Sequence, residues 1–188
     1  METKVTIGVS NRHIHLTEET YKLLFDEEVT KFKDLNQLGE FASNQKVTLK
    51  TENYEIPGVR LLGPFRKYNQ VEISHNDALK FKINPPVRKS GDLEGAAEIT
   101  IATAKAEVTL PVAILAQRHV HMNPAKAAEL GVEDNQKVYV NVTGDKGGIM
   151  EAFVKISDNG FYEMHIDTDD ANSFLINNDN NEGTLIIK

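Results

Sequence analysis

Arg12-His13-Ile14-His15-Leu16 recurs 106 residues later as Arg118-His119-Val120-His121-Met122, and the two copies hold four of the six histidines of the chain. In each copy a β-branched residue separates the histidines, which favours a strand. Because successive side chains of a strand point to opposite faces, the two imidazoles of each pair lie on one face and can chelate an ion. Imidazole is the commonest protein ligand for zinc and similar metals, so the repeat predicts a metal-binding protein.

The internal repeat extends beyond the histidines. Asn44-Gln45-Lys46-Val47 recurs as Asn135-Gln136-Lys137-Val138, and each copy opens a strand-like run at an offset of 91 residues. Residues 71–78 align with residues 164–171 at an offset of 93. The smaller offsets place an insertion in the first half, around residues 25–45. We therefore predict two copies of one structural unit.

A third donor joins each histidine pair when the halves are aligned, because Glu72 falls opposite His165. The predicted metal ligands are His13, His15 and Glu72 in one half and His119, His121 and His165 in the other. Three protein ligands with an open fourth position are typical of catalytic zinc sites. A single His-x-His pair would be equally consistent with packed or surface histidines; the duplication favours metal binding. His75 has no counterpart and is predicted at the surface or at a helix start.

Length and composition restrict the class of protein. The chain has 188 residues, of which 40% are hydrophobic and 26% charged, values typical of a globular protein. A TIM barrel, the usual fold of His-x-His metal hydrolases, needs about 250 residues and is disfavoured. The net charge of −7 disfavours a nucleic-acid partner. The absence of cysteine excludes thiolate ligands and an acyl-cysteine intermediate.

No segment predicts a membrane span or a targeting signal. The longest apolar stretch, residues 108–116, contains Thr109 and Pro111 and is too short to cross a bilayer. Met1-Glu2-Thr3-Lys4 leads directly into a strand-like run, without a secretory or amphipathic extension. We therefore expect a cytoplasmic protein.

Positive charge is concentrated in residues 60–89, although the chain as a whole is acidic. This segment has two acidic residues and seven basic ones: Arg60, Arg66, Lys67, Lys80, Lys82, Arg88 and Lys89. A local positive field attracts small polyanions, so the segment could bind one. Solvated loop charge is the alternative interpretation.

Hydrophobic periodicity predicts a strand-rich chain. Besides the His-x-His segments, predicted strands cover residues 5–9, 47–51, 59–62, 70–73, 97–103, 106–115, 137–142, 148–156, 161–166 and 184–187. Short helices are predicted at 18–25 after Thr17 and at 125–130 after Asn123 and Pro124, and a further short capped turn runs from Ser74 through Leu79. The predicted fold is mainly β, with two small β-barrel domains capped by short α-helices, internally duplicated, and a metal site between them.

The chain resembles the PduL-type phosphotransacylases, also called phosphate propanoyltransferases, over nearly its whole length. The segments that carry the resemblance are 8–16 (Gly-Val-Ser-Asn-Arg-His-Ile-His-Leu), 63–66 (Gly-Pro-Phe-Arg), 70–74 (Gln-Val-Glu-Ile-Ser), 85–92 with Pro-Pro-Val-Arg and Ser-Gly-Asp, 118–122 (Arg-His-Val-His-Met) and 163–169 (Glu-Met-His-Ile-Asp-Thr-Asp). The resemblance implies one β-barrel from residues 1–11 with 117–188 and a second from residues 12–116. It also implies two bound metal ions, usually zinc, and transfer of an acyl group between coenzyme A and phosphate.

Carried over by position, the resemblance assigns a role to each site residue. His13, His15 and Glu72 would hold the metal that faces the sulfur of coenzyme A, and His119, His121 and His165 would hold the second metal. Arg66 would bind phosphate as the catalytic arginine. The coenzyme A contacts would be Ser10, Lys33, Arg60 and Asn172.

The partners implied are a short-chain acyl-CoA, acetyl-CoA or propanoyl-CoA, and phosphate. A homodimer is usual for such enzymes. Family members in bacterial microcompartments commonly carry an N-terminal encapsulation extension, which is not seen here, so we expect a free role in acetyl phosphate and acetate formation.

Two other functions use the same residues. A metal-dependent hydrolase acting on a small substrate that contains coenzyme A or phosphate could activate water with the same six ligands. A cupin-like binding module is suggested by Glu19, four residues after His15, but the second copy has Ala125 at this position. Dependence on phosphate would distinguish acyl transfer from hydrolysis.

Overall fold

The computed structural model describes residues 1–187 and is mainly β. The strands in these residues are β1 (Glu2–Ser10), β2 (His13–His15), β3 (Lys31–Asp34), β4 (Phe41–Lys50), β5 (Glu55–Gly63), β6 (Gln70–Ile73), β7 (Val87–Arg88), β8 (Ala97–Ala102), β9 (Glu107–Ala116), β10 (His119–Met122), β11 (Lys137–Val142), β12 (Gly148–Ile156), β13 (Glu163–Asp167) and β14 (Glu182–Ile186). The helices are α1 (Glu18–Leu24), α2 (His75–Phe81), α3 (Pro124–Leu130) and α4 (Thr168–Phe174).

The helices each begin at a side-chain cap. Thr17, Ser74 and Asn123 accept hydrogen bonds from backbone N–H groups three residues later, which confirms the predicted helix starts. Helix α3 ends at Leu130 and is followed by the C-cap Gly131, whose φ of 65° is in the left-handed region that favours glycine. Helix α4 was not predicted; Asp167 caps it by accepting from the N–H groups of residues 169 and 170.

The strands differ from the prediction mainly in and near the insertion. The exposed strand β3 was missed because its four residues, Lys-Phe-Lys-Asp, present no buried face. Strand β4 begins six residues earlier than predicted because its first half buries polar side chains. Ser43 there donates to the carbonyl of Gln45, and the side chain of Gln45 accepts from the N–H of Thr30. These hydrogen bonds allow a polar segment to occupy a buried strand.

Two compact units make up the described chain. One contains residues 1–10 and 117–187, and the other contains residues 11–116. The first forms a closed barrel with strand order β1-β13-β10-β12-β11-β14, in which β14 pairs with β1. We call it barrel 1.

The second unit, barrel 2, closes in the order β9-β6-β2-β5-β4-β8, with β3 and β7 at its margins. Its pairs follow the same sequence of orientations as barrel 1: parallel, antiparallel, parallel, and then three antiparallel pairs. In this correspondence β2 matches β10, β6 matches β13, and β9 matches the N-terminal strand β1. The predicted mainly β fold, with two β-barrels, short helices and an internal duplication, is therefore confirmed.

Each barrel has its own hydrophobic core. Ile14 and Val120, the central residues of the two His-x-His segments, are fully buried in the cores of barrels 2 and 1. Because neighbouring side chains on a strand face opposite sides, the flanking histidines point away from these cores. The barrel wall thus presents each histidine pair on its outer face.

None of the helices within residues 1–187 has both the length and the apolar composition needed to span a membrane.

Candidate metal centres

Three histidines of barrel 1 meet on two neighbouring strands. Strand β10 carries His119 and His121, and the antiparallel strand β13 carries His165 directly opposite His119. One ring nitrogen of each histidine lies within 4.8 Å of those of the other two. The strand register therefore brings together the three predicted ligands of this half.

The side chain of His119 is oriented by the backbone. Its Nδ1 lies 2.7 Å from the carbonyl oxygen of Gln117. Since a carbonyl only accepts, Nδ1 carries the proton and Nε2 keeps its lone pair. Burial, with smaller contributions from nearby His165 and Lys155, lowers the pKa of His119 to about 3, so the imidazole is neutral near pH 7. His119 is thus prepared to donate Nε2 to a cation.

Barrel 2 brings together the other three predicted ligands in the same way. Strand β2 carries His13 and His15, and the antiparallel strand β6 carries Glu72 opposite His13. Their donor atoms lie within 4.8 Å of one another, and Nε2 of His13 is 3.4 Å from Oε2 of Glu72. Nδ1 of His13 lies 2.9 Å from the carbonyl oxygen of Asn11, two residues earlier. This contact is equivalent to the one between His119 and Gln117 in barrel 1.

The chemistry of both donor groups fits a borderline divalent transition ion. Three imidazoles in one group, and two imidazoles with a carboxylate in the other, are ligand sets that zinc accepts. Both groups are held by paired strands rather than by loops, and each ligand strand is followed by a capped helix. In residues 1–187 these are the clusters of three or more such side chains with a geometry suited to an ion.

Arg66 is held beside the histidine strand of barrel 2. Its backbone N–H donates to the carbonyl of Leu16, the residue after His15, and its Nη2 donates to Oε1 of Glu40 at 2.5 Å. The buried Nε of Arg66 has no hydrogen-bond partner among residues 1–187. Glu40 was not expected from the sequence, because nothing local relates two residues 26 positions apart.

The predicted coenzyme A residues fall on both barrels. In barrel 2, Arg60 lies opposite His13 on the adjacent strand β5; its guanidinium stacks 4.6 Å from the ring of Phe32 and donates to the carbonyl of Ser43. Lys33 follows Phe32 on β3 and is exposed.

Two of the predicted coenzyme A residues belong to barrel 1. Ser10 ends β1 and pairs with Asp167, the cap of helix α4. Asn172 is exposed on α4. Of the four predicted coenzyme A residues, Lys33 and Arg60 thus belong to barrel 2, and Ser10 and Asn172 belong to barrel 1.

The structure also adds two buried polar residues that were missing from the predicted site. Gln70 lies two residues before Glu72, and Glu163 lies two residues before His165. Both point to the same strand face as the donor that follows them. The repeat offset of 93 already aligns them, which is the signal that could have found them.

Fold and site together define an internally duplicated two-barrel protein with a three-donor group on each barrel. The model of the phosphate propanoyltransferase family matches residues 6–177. The chain therefore belongs to the phosphate propanoyltransferase family, and the resemblance found in the sequence is confirmed.

Individual relatives give the same result. The phosphate propanoyltransferase of Thermotoga maritima is 41% identical over 181 residues, which cover 94% of this chain and 86% of that protein. Those of Salmonella typhimurium (strain LT2) and Citrobacter freundii are 42% and 40% identical, over 90% and 98% of this chain and 82% and 90% of those proteins. The similarity thus spans both barrels.

Proposed function

We propose that this protein interconverts a short-chain acyl-CoA plus phosphate with an acyl phosphate plus coenzyme A. The family relationship supports the acyl transfer to phosphate. The single observation that carries the proposal is that strand pairing assembles two equivalent three-donor groups, one of them beside Arg66.

The two donor groups are proposed to hold one divalent ion each, zinc being the ion that suits nitrogen and carboxylate donors. His13, His15 and Glu72 would hold one ion, and His119, His121 and His165 the other. Bound ions of this kind supply Lewis-acid stabilisation to a thiolate leaving group and to negative charge on oxygen.

Arg66 is proposed to bind and orient the attacking phosphate. A guanidinium presents several N–H groups in one plane, a geometry that matches two phosphate oxygens. Glu40 holds one edge of the guanidinium through Nη2, while the buried Nε has no partner within residues 1–187. Buried N–H groups are normally hydrogen-bonded, so a phosphate oxygen would be the hydrogen-bond acceptor for Nε of Arg66. Phosphate held in this way attacks the thioester directly, and positioning supplies much of the rate.

Coenzyme A is proposed to contact Lys33, Arg60, Ser10 and Asn172. Lys33 and Arg60 are cations on adjacent parts of barrel 2 and suit the phosphate groups of the coenzyme. Ser10 and Asn172 offer neutral polar groups on barrel 1. The cytoplasmic location and the homodimer remain predictions.

The acyl chain is proposed to be acetyl or propanoyl. One methylene in an apolar pocket changes the free energy of binding by only about 1–3 kcal/mol, so we expect activity with both. Initial rates of acyl phosphate formation with acetyl-CoA, propanoyl-CoA and butanoyl-CoA would rank them. Coenzyme A release that proceeds equally well without phosphate would show hydrolysis instead and would refute the proposed transfer.

A further inference from the structure

Each barrel presents four side chains, not three, in a two-by-two array on its paired donor strands. In barrel 1, His119 lies opposite His165, and His121 lies opposite Glu163. In barrel 2 the corresponding pairs are His13 with Glu72 and His15 with Gln70. Gln70 and Glu163 therefore occupy equivalent positions, each two residues before the third donor of its group.

Glu163 contacts the third donor of barrel 1. Its Oε2 lies 2.9 Å from Nε2 of His165, and its side chain is only 8% exposed. Because the carboxylate accepts, Nε2 of His165 carries the proton and Nδ1 keeps the lone pair. Gly8 leaves room for this carboxylate: a Cβ at Gly8 would lie 2.9 Å from Cδ of Glu163.

Gln70 makes the corresponding contact in barrel 2 with the opposite hydrogen-bond polarity. Its side-chain NH₂ donates to Oε1 of Glu72 at 2.6 Å, and also to the hydroxyl of Ser90. Its Oε1 accepts from the N–H of Gly91, and the residue is fully buried. The amide is fixed at both ends, so it orients Glu72 and leaves Oε2 of that carboxylate towards His13.

The two positions are matched to the donors that they contact. An imidazole that binds an ion through one nitrogen carries a proton on the other and needs a hydrogen-bond acceptor there. Barrel 1 supplies the carboxylate of Glu163 to Nε2 of His165. A carboxylate that binds an ion through one oxygen needs a hydrogen-bond donor on the other oxygen. Barrel 2 supplies the amide NH₂ of Gln70 to Oε1 of Glu72. Each array consequently contains one carboxylate, although the two barrels place it at different positions.

We propose that Glu163 and Gln70 are equivalent positioning residues, which orient the third ligand of each metal centre and set the hydrogen-bond polarity that this ligand requires. The inference rests on the proposed metal binding. Partners that hold metal ligands commonly change metal affinity by about 10- to 100-fold when they are removed. Neither residue needs to contact the ion or the substrate.

The test is the affinity of the purified full-length protein for Zn²⁺, measured by competition with a chelator. Glu163→Ala and Gln70→Ala should each weaken one bound ion by about 10- to 100-fold and leave the other unchanged. Glu182→Ala, which removes an exposed carboxylate of barrel 1 that pairs with Lys4, is the matched control and should have no effect. Gly8→Ala should act like Glu163→Ala, because the added methyl group displaces the carboxylate.

Variants that exchange a hydrogen-bond acceptor for a donor, with little change in side-chain size, distinguish a positioning role from a general structural role. Glu163→Gln keeps an oxygen that accepts from His165 and should retain most of the affinity. Gln70→Glu removes the donor and places a second carboxylate beside Glu72, so it should be at least as damaging as Gln70→Ala. In barrel 1, His165→Glu should lose its ion, and adding Glu163→Gln should restore binding by recreating the arrangement of barrel 2.

The outcomes separate this inference from the proposed function. A wild-type protein that binds no Zn²⁺ would refute the proposed metal sites themselves. A wild-type protein that binds Zn²⁺, with unchanged affinity in both alanine variants, would overturn only the positioning role. A loss in Glu163→Gln as complete as in His165→Ala would make Glu163 a direct ligand and would also overturn it. Circular dichroism shows which variants fold. If Glu163→Ala does not fold, the double variant His165→Glu/Glu163→Gln tests the inference, and a folded double variant that fails to regain the ion would overturn it.

Discussion

One histidine in each donor group is oriented by a backbone carbonyl just before its own strand. His13 and His119 each use Nδ1 to contact a carbonyl two residues earlier, which leaves Nε2 for a cation. The low pKa of His119 keeps its imidazole neutral, so no proton has to be removed before it binds an ion near pH 7. These two predicted ligands therefore have their tautomer and orientation set by the backbone.

We expect His119→Ala to lower the metal content of the purified protein by one ion per chain, because two histidines alone bind an ion far more weakly than three. Elemental analysis measures this content directly. His75→Ala removes an exposed histidine at the start of helix α2 and is the matched control. Unchanged metal content in His119→Ala would remove this residue from the proposed ligands.

We expect Arg66→Ala to lower kcat/KM for phosphate by roughly 10- to 150-fold while the metal content stays constant. The estimate corresponds to the loss of a hydrogen bond to a charged group, about 1.5–3 kcal/mol. The measurement is the rate of acyl phosphate formation at varied phosphate concentration.

Arg88→Ala is the matched control for Arg66, because Arg88 belongs to the same basic segment but contacts the carbonyl of Glu94 and the side chain of Asp92. It should leave the phosphate dependence unchanged. Near-normal turnover in Arg66→Ala would exclude this arginine from phosphate binding.

The site was only partly predictable at the residue scale. The internal repeat indicated all six donors, because alternation along a strand and a shared offset are local properties of the sequence. The partner of Arg66, Glu40, depends on a tertiary contact that no local pattern encodes. Gln70 and Glu163 were not predicted because neither belongs to a His-x-His pair or aligns with a histidine, although the repeat offset of 93 relates them to each other.

At the scale of secondary-structure elements, the arginine of each Arg-His-x-His frame connects a donor strand to a helix. Arg12, before β2, binds both carboxylate oxygens of Asp77 in α2 at 2.6 and 2.9 Å. Arg118, before β10, contacts Asp170 in α4 at 3.1 Å. Since α2 and α4 directly follow the strands that carry Glu72 and His165, these ion pairs link the strands of each donor group.

We expect Arg12→Met to destabilise the protein more than Arg118→Met. The side chain of Asp77 is 2% exposed, so losing Arg12 leaves a buried carboxylate with the more distant Lys80, 3.9 Å away, as its ion-pair partner, and should cost about 3 kcal/mol. Asp170 and Arg118 are 21% and 38% exposed, and the loss there should be about 1 kcal/mol or less. Urea denaturation of metal-free protein measures both values. Equal losses in the two variants would contradict this ranking.

Most elements were predictable from the sequence, and the exceptions have physical reasons. Helix α4 has the sequence Thr-Asp-Asp-Ala-Asn-Ser-Phe and buries only Ala171, so it has no apolar stripe to detect. Strand β3 is fully exposed and β4 buries hydrogen-bonded polar residues, so neither shows a clear alternation. The starts of α1, α2 and α3 were predicted correctly because a cap depends on residues close together in the sequence.

At the scale of the whole molecule, duplication accounts for the architecture. The six strand pairs of each barrel follow the same order of parallel and antiparallel orientations. The N-terminal strand β1 completes barrel 1 in the position that β9 has in barrel 2. The sequence repeat indicated two equivalent units, but barrel closure joins strands distant in sequence, such as β1 with β13 and β14. These pairings are not visible in local periodicity.

The most direct test of the account is the rate of acyl phosphate formation from propanoyl-CoA and phosphate, measured together with the metal content per chain. The protein is assayed as purified, after removal of metal with a chelator, and after addition of Zn²⁺. We predict that activity falls to background in the metal-free protein and returns as each donor group regains its ion. Full acyl transfer by metal-free protein would contradict the account.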